Sequence, residues 1–365
     1  MSVSTLKRYA PTDVWYTVCP VPSAISIALA RGTLQAGFAN SGATLNNVRT
    51  HPDRIVREAH YDQTQRNLFR EGGNIPPLWS RSAGLDVRLI GLTWVDHYAS
   101  LVTLPSSGIR TPADLKGKRL GLVHRPNDRI DFTRATQLRG YLVALEASGV
   151  SRGDVTFVDL TYEKPLVALP PESQALSSSA FGINGVWERQ SVLLKALIEG
   201  TVDALYLTAS GAEVAALASA GIVFDAATAL EPKDRVSNLT PIAFTVKGEL
   251  LDGQPEIVAE YVAANLRSAR WARENPAEAA RYIGRDTAIP EEAVALAYSP
   301  RVAEQLETSL APELLAHLET QKNFLLAEGF LVKDFAITDF VAPEPLERAR
   351  AIVAAETAPE LAKIA

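Results

Sequence analysis

Short apolar runs rich in β-branched residues recur along the chain, each bounded by Gly, Asp or Lys. They are DVRLIGLTWV at 86–95, RLGLV at 119–123, DVTFVDL at 154–160, VDALYLT at 202–208 and GIVFDAA at 221–227. Their length and their bounds predict strands. Between them, RIDFTRATQLRGYLVALEASGV at 129–150 and WERQSVLLKALIEG at 187–200 place apolar residues at helical spacing and run out at a glycine, which predicts helices. Strands alternating with helices predict an α/β fold.

Local punctuation refines this. In RTPADLKGKRLGLV at 110–123, Thr111 is a candidate N-cap, Pro112 suits the first helical position, and Gly117 stops a short helix before a strand. LLKALIEGTVDALYLTAS at 193–210 reads as helix, glycine stop and buried strand. Together these segments resemble the type II periplasmic-binding-protein fold, which implies two lobes and a central cleft. At 365 residues the chain exceeds the size at which a single core stops growing, and this too favours two lobes. The expected division is 1–100 with 225–365 as one lobe and 101–224 as the other. From 255 onward the sequence is nearly all helical in pattern, with stops expected at Pro276 and Pro290.

Composition narrows the function classes. Hydrophobic residues make up 47% and charged residues 21%, as in ordinary globular proteins. A formal net charge of −6, with the basic residues scattered, argues against nucleic-acid binding. One cysteine permits no internal disulfide, so nothing calls for an oxidising compartment. The opening MSVSTLKRYAPTDVWYTV lacks the apolar stretch of a signal peptide, and no run is long and apolar enough for a membrane span. The expectation is a cytoplasmic protein acting as a monomer, with no membrane or nucleic-acid partner.

Candidate chemistry gathers in two places. Cys19 stands in TVCPVP, ahead of PVPSAISIALARGTL, which reads as an entry turn, a Ser23 N-cap and a helix ending near Gly32. A thiol near a helix N-terminus and a cation favours its thiolate. The second place is HYDQTQRNLFREGGNIPPLW at 60–79. There Gly72 and Gly73 can let backbone N–H groups approach an anion, a helix start at Asn74-Ile75-Pro76-Pro77 adds its positive end, and Arg70 offers a rigid two-pronged grip on an oxyacid. Plainer roles exist for each. Cys19 could simply be packed, Arg70 could pair with Glu71 or Asp62, and the glycine pair could be a turn. His97, His124 and His317 have no partners at metal spacing and read as structural. Trp15, Trp79, Trp94, Trp187 and Phe181 read as core, with one or two expected to line an aromatic slot.

CPVPSA, YDQ, the R-x-GG-x-IPPL segment, LLAHLETQKNFLLAEGFL and DFVAPEPL resemble the 2'-hydroxybiphenyl-2-sulfinate desulfinases of bacterial dibenzothiophene desulfurisation, in patches from about residue 15 to 347. The middle of the chain is similar only to the wider sulfonate and nitrate binding-protein superfamily. What the resemblance implies is a catalytic set of Cys19, His60 and Arg70, with Gly73 as a backbone donor and Gly72 and Gln63 beside the substrate. His60 keeps the family's ten-residue spacing to the arginine, whereas Tyr61-Asp62-Gln63 stands two residues earlier than in the family. The implied reaction cleaves the aryl C–S bond of a small aromatic sulfinate to release sulfite, with no metal or other cofactor. Arg70 and the Gly73 N–H would hold the oxygens. Cys19 would protonate the ring carbon or attack the sulfur, and His60 would orient the thiol. The alternative is a non-catalytic solute-binding protein for sulfonate-like organic anions, which would gain nothing from a polarised thiol. A thiamine-precursor synthase of the same superfamily is set aside, since its cysteine-rich metal motif cannot be built from one cysteine.

Overall fold

A computed structural model describes residues 12–39, 41–167, 191–209 and 220–361. Two five-stranded sheets organise them. In the first, β1 (Thr12–Val18) runs parallel to β2 (Ala43–Asn47) on one side and β3 (Leu68–Gly72) on the other. Beyond β3 lie the late strand Ile242–Lys247 and then β4 (Val87–Thr93), with Ile242–Lys247 antiparallel to both neighbours. The second sheet is built from β5 (Ala99–Thr103), β6 (Arg119–His124), β7 (Thr156–Thr161), β8 (Ala204–Thr208) and β9 (Gly221–Asp225). Its order is β7-β6-β8-β5-β9, with β6 parallel to β7 and β8, and β5 antiparallel to β8 and β9. Both sheets therefore follow one scheme: three parallel strands, one antiparallel strand inserted beside them, and an edge. The chain passes from sheet to sheet at 94–98 and again at 226–241. The expected two-lobed α/β architecture is present.

All five runs read as strands form strands. The helix expected over 129–150 is α5 in the numbering α1 (Ala24–Ala30), α2 (Thr33–Phe38), α3 (Arg54–Asp62), α4 (Ile75–Ser82) and α5 (Phe132–Ala147). Of the 187–200 segment, 191–198 is helical and 187–190 lies outside the described residues. Ser23 caps α1, its hydroxyl accepting the Ser26 N–H at 3.3 Å, and Gly32 follows in the left-handed region at φ 71°. Thr111 and Pro112 open a 3-10 turn over Pro112–Leu115, where the Asp114 carboxylate accepts the Thr111 N–H at 2.9 Å. The stop expected at Pro276 is present, the helix Pro255–Glu274 ending just before it. Pro276 also opens the next helix, Pro276–Thr287, because a proline at the first helical position gives up an N–H that had no partner there.

Packing explains why the sheets hold. On one face of the first sheet, α1 and the helix Pro255–Glu274 bury Val14, Ile25, Phe69, Phe244 and Tyr261. The Phe69 and Tyr261 rings stack with centroids 3.9 Å apart and 8° between planes. Each fully buried side chain of this size contributes roughly 1.5–3 kcal/mol. The opposite face carries Leu78, Leu89, Leu318 and Phe340, and the second sheet has its own core around Leu101, Leu120, Tyr141 and Tyr206. Among the described residues no helix is long and apolar enough to cross a membrane.

Candidate active site

The parallel register of β1 and β3 sets the site. Thr17 pairs with Arg70 and Val18 with Glu71, and the Cys19 N–H continues the ladder by donating to the Glu71 carbonyl at 2.9 Å. The chain leaving β1 is thereby laid alongside Arg70. Gly72 makes this approach possible: a Cβ there would fall on Cys19 Sγ and within 2.5 Å of Cys19 Cβ. The first glycine of the pair gives the thiol its room.

Cys19 is half-buried, and two groups meet its sulfur. His60 Nε2 lies 3.4 Å away and Arg70 Nη2 donates at 3.2 Å. His60 projects from the last turn of α3, a helix begun by the Asp53 carboxylate accepting the Ile55 N–H, and its Nδ1 is 2.5 Å from the Thr17 hydroxyl. Burial first, and then the Arg70 and Arg49 guanidinium groups, hold His60 well below its usual range. The ring is therefore neutral, and the cation on the sulfur is Arg70 rather than an imidazolium. The N-terminus of α1, expected to act on the thiol, is served instead by Glu71. That carboxyl accepts from the Ser23 hydroxyl, from Asn265 Nδ2 at 3.1 Å and from the Ile25 N–H, and burial lifts it to about 7. Arg49, which sequence reading missed, donates to the Val18 carbonyl at 3.0 Å.

Arg70 is 1% exposed, and its fork is already engaged. Nε donates to the His60 carbonyl at 2.8 Å and Nη1 to the Gly73 carbonyl at 2.9 Å. With Nη2 on Cys19, one N–H remains on each terminal nitrogen. Neither of the acids considered as partners pairs with it. Asp62 takes Arg129 at 2.5 Å, and Glu71 faces the other way.

The helix start expected to cradle an anion is present as α4, yet most of its donors are used. The Asn74 N–H goes to the Asn238 carbonyl at 2.8 Å and the Ile75 N–H to Asn238 Oδ1 at 3.0 Å, while Pro76 and Pro77 have none to give. Asn238, unremarked in the sequence, lies across Gly73 so closely that a Cβ on Gly73 would come within 2.5 Å of its amide.

These residues face a cavity between the two sheets of about 1010 Å³ of empty space counted to its open mouth. Cys19, His60, Arg70 and Gly73 share its wall; Gly72 and Gln63 do not. Gln63 ends α3 in the left-handed region at φ 54° and is tied to Ser80 and Thr245, at 3.2 and 2.8 Å, behind the site. The aromatic surface comes from Tyr61, Phe132, Tyr206 and Tyr298. Tyr61 and Phe132 stack at 5.8 Å and 16°, and burial raises the Tyr61 phenol above its usual range. Trp15, Trp79 and Trp94 do not line the cavity, and Phe181 and Trp187 lie outside the described residues. No group of three or more metal-ligating side chains occurs among the described residues. His97 is buried against the Thr240 hydroxyl at 2.9 Å, and burial lowers it to about 4. His124 approaches Asp131 at 3.9 Å, and the His317 ring lies 5.0 Å from Trp94.

Known proteins resemble this chain in sequence and fold to different depths. The chain is 26% identical over 349 residues to the 2'-hydroxybiphenyl-2-sulfinate desulfinase of Rhodococcus erythropolis, covering 90% of this chain and 91% of that one. The crystal structure of the desulfurization enzyme DSZB superposes with a TM-score of 0.73 at 25% identity over 93% of this chain and 99% of that one. A mutant of DSZB in complex with biphenyl-2-sulfinic acid gives the same TM-score at 24% identity, with the same coverage of 93% and 99%. The periplasmic aliphatic sulphonate binding protein SsuA from Escherichia coli shares the fold, at a TM-score of 0.61 and 13% identity over 91% of this chain and 92% of that one. The NMT1/THI5-like family model matches residues 76–168 and 186–279, on both sides of the cavity, and the chain belongs to that family.

Proposed function

We propose that this protein is a cysteine-dependent desulfinase that hydrolyses the aryl C–S bond of an aromatic sulfinate and releases sulfite. One observation carries the reading. A single thiol is held between a neutral imidazole at 3.4 Å and a buried guanidinium at 3.2 Å, on the wall of an aromatic cavity. The similarity to the Rhodococcus desulfinase over 90% of the chain supports the same chemistry.

The reaction consumes one water. The C–S bond breaks, the ring carbon gains a proton, and the sulfur gains hydroxide and leaves as hydrogensulfite. The free N–H groups of Arg70 and the Gly73 backbone bind the sulfinate oxygens. Cys19 either delivers the proton to the ring carbon or attacks the sulfur to give a thiosulfonate-type intermediate that water cleaves. The His60 ring serves both routes. With Thr17 donating to Nδ1, the Nε2–H supports a thiolate; with Nδ1–H donating to Thr17, Nε2 accepts the S–H proton. Tyr61 and Phe132 supply a stacked wall for the ring. The lobes divide near residues 100 and 225, so that substrate enters between the two sheets, and the protein works as a monomer in the cytoplasm, where its single thiol needs no oxidising partner.

The test is sulfite release from biphenyl-2-sulfinate. Wild-type protein releases sulfite, Cys19→Ser does not, and iodoacetamide inactivates the wild type unless substrate is bound. Wild type that binds the sulfinate without releasing sulfite is instead a solute-binding protein.

A further inference from the structure

We infer that Asn238 is a sulfinate-binding residue, its side-chain amide donating to a sulfinate oxygen beside Arg70 and Gly73; this rests on the desulfinase reading of the site. Four observations lead there. Asn238 is 7% exposed and lines the cavity. Its Oδ1 and its carbonyl are both used, accepting the Ile75 and Asn74 N–H groups, whereas Nδ2 donates to nothing among the described residues. Nδ2 is not among the buried atoms left without a partner, so it reaches the open space of the cavity, where a ligand or water can take its N–H groups. The amide lies against Gly73, whose carbonyl is held by Arg70 Nη1 at 2.9 Å, so the unspent amide and the guanidinium border the same corner of the cavity.

The chemistry follows from the orientation. Two donors at the start of α4 end on Asn238, and because Oδ1 is fixed by the Ile75 N–H, the amide must point its Nδ2 away from the helix. Asn238 thus carries the positive end of α4 outward into a cavity that the helix cannot reach through Pro76 and Pro77. A sulfinate has two equivalent anionic oxygens, and Arg70 has only two N–H groups left, one on each terminal nitrogen. A planar amide donor beside that fork gives one of these oxygens a further partner, since each oxygen can accept more than one hydrogen bond. It also selects an oxyanion over a neutral ring substituent.

Asn238→Asp keeps an acceptor for the Ile75 N–H and removes the donor, and because it also adds a negative charge beside the anion, Asn238→Ser, which removes the amide donor without adding charge, is measured with it. In a Cys19→Ser background, calorimetric titration with biphenyl-2-sulfinate is expected to show binding weakened roughly 10- to 150-fold by both substitutions, the range set by loss of a charge-assisted hydrogen bond. The thermal midpoint should stay close to that of the parent. Binding within about threefold of the parent overturns the proposal. The crystal structure of Cys19→Ser with biphenyl-2-sulfinate decides the matter without the substitution: an oxygen within about 3.2 Å of Nδ2 supports it, and one beyond about 4 Å overturns it. Sulfite release by the wild type is scored separately, so a failure of the desulfinase reading and a failure of Asn238 are read from different measurements.

Discussion

Arg70→Lys keeps the charge of the site and removes the fork. In the native protein the guanidinium holds the His60 carbonyl at 2.8 Å, the Gly73 carbonyl at 2.9 Å and Cys19 Sγ at 3.2 Å, all in a setting 1% exposed. Lysine gathers its donors on one nitrogen, which cannot stand on both edges of the former guanidinium plane. At least one buried carbonyl loses its partner. Leaving a buried acceptor unpaired costs ~1–3 kcal/mol, and each lost bond from a charged donor about 1.5–3 kcal/mol. The unfolding free energy should therefore fall by about 3 kcal/mol, measured by urea denaturation followed by circular dichroism. Loss of the contacts to sulfur and to a substrate oxygen should lower kcat/KM by roughly 10²–10⁴-fold, since each 1.4 kcal/mol is a factor of ten. A lysine variant within about 1 kcal/mol of wild-type stability, turning over within about threefold of it, would refute the picture of Arg70 as the clamp that joins Cys19, His60 and Gly73.

The pH dependence offers two further predictions. His60→Gln removes the group that exchanges a proton with Cys19, and turnover should drop by roughly 10²–10⁴-fold with little change in substrate affinity. Because His60 is held below its ordinary value, its contribution to stability is present above about 6.5 and lost as pH falls below it, so the variant should resist acid unfolding better than wild type. Glu71 works in the opposite direction. Lifted to about 7, it contributes stability that is present below its ordinary carboxylate range and lost as pH rises through about 7. Glu71→Gln should thus be more stable than wild type at pH 8, by roughly 3 kcal/mol, with the difference closing toward pH 4.5 in thermal or urea unfolding; equal stability at pH 8 would show that the carboxyl is ionised at no cost.

What could be read along the chain, and what could not, divides by the range of the forces involved. Ser23, Gly32, Thr111 and Gly117 act on their own turns, and each forms the cap or stop its type suggests. The strand carrying Arg70 and Glu71 follows no such rule. LFREG is buried at all five positions, so its charged residues, which by pattern belong at a surface, are instead inside because each finds partners there. The meeting of Cys19, His60 and Arg70 came from likeness to a family, since no spacing along the chain implies it; in space it follows from the Thr17–Arg70 register between β1 and β3. Gln63, a polar residue close to the histidine, ends a helix in a conformation usually taken by glycine or asparagine, a role that its pattern did not announce. Asn238 carried no signal at all. Its value lies in two backbone groups 163 and 164 residues away that it caps, and in the amide N–H groups left over after doing so. A site made this way is legible only once the register is known, because the residue that completes it is chosen by which hydrogen bonds remain unspent.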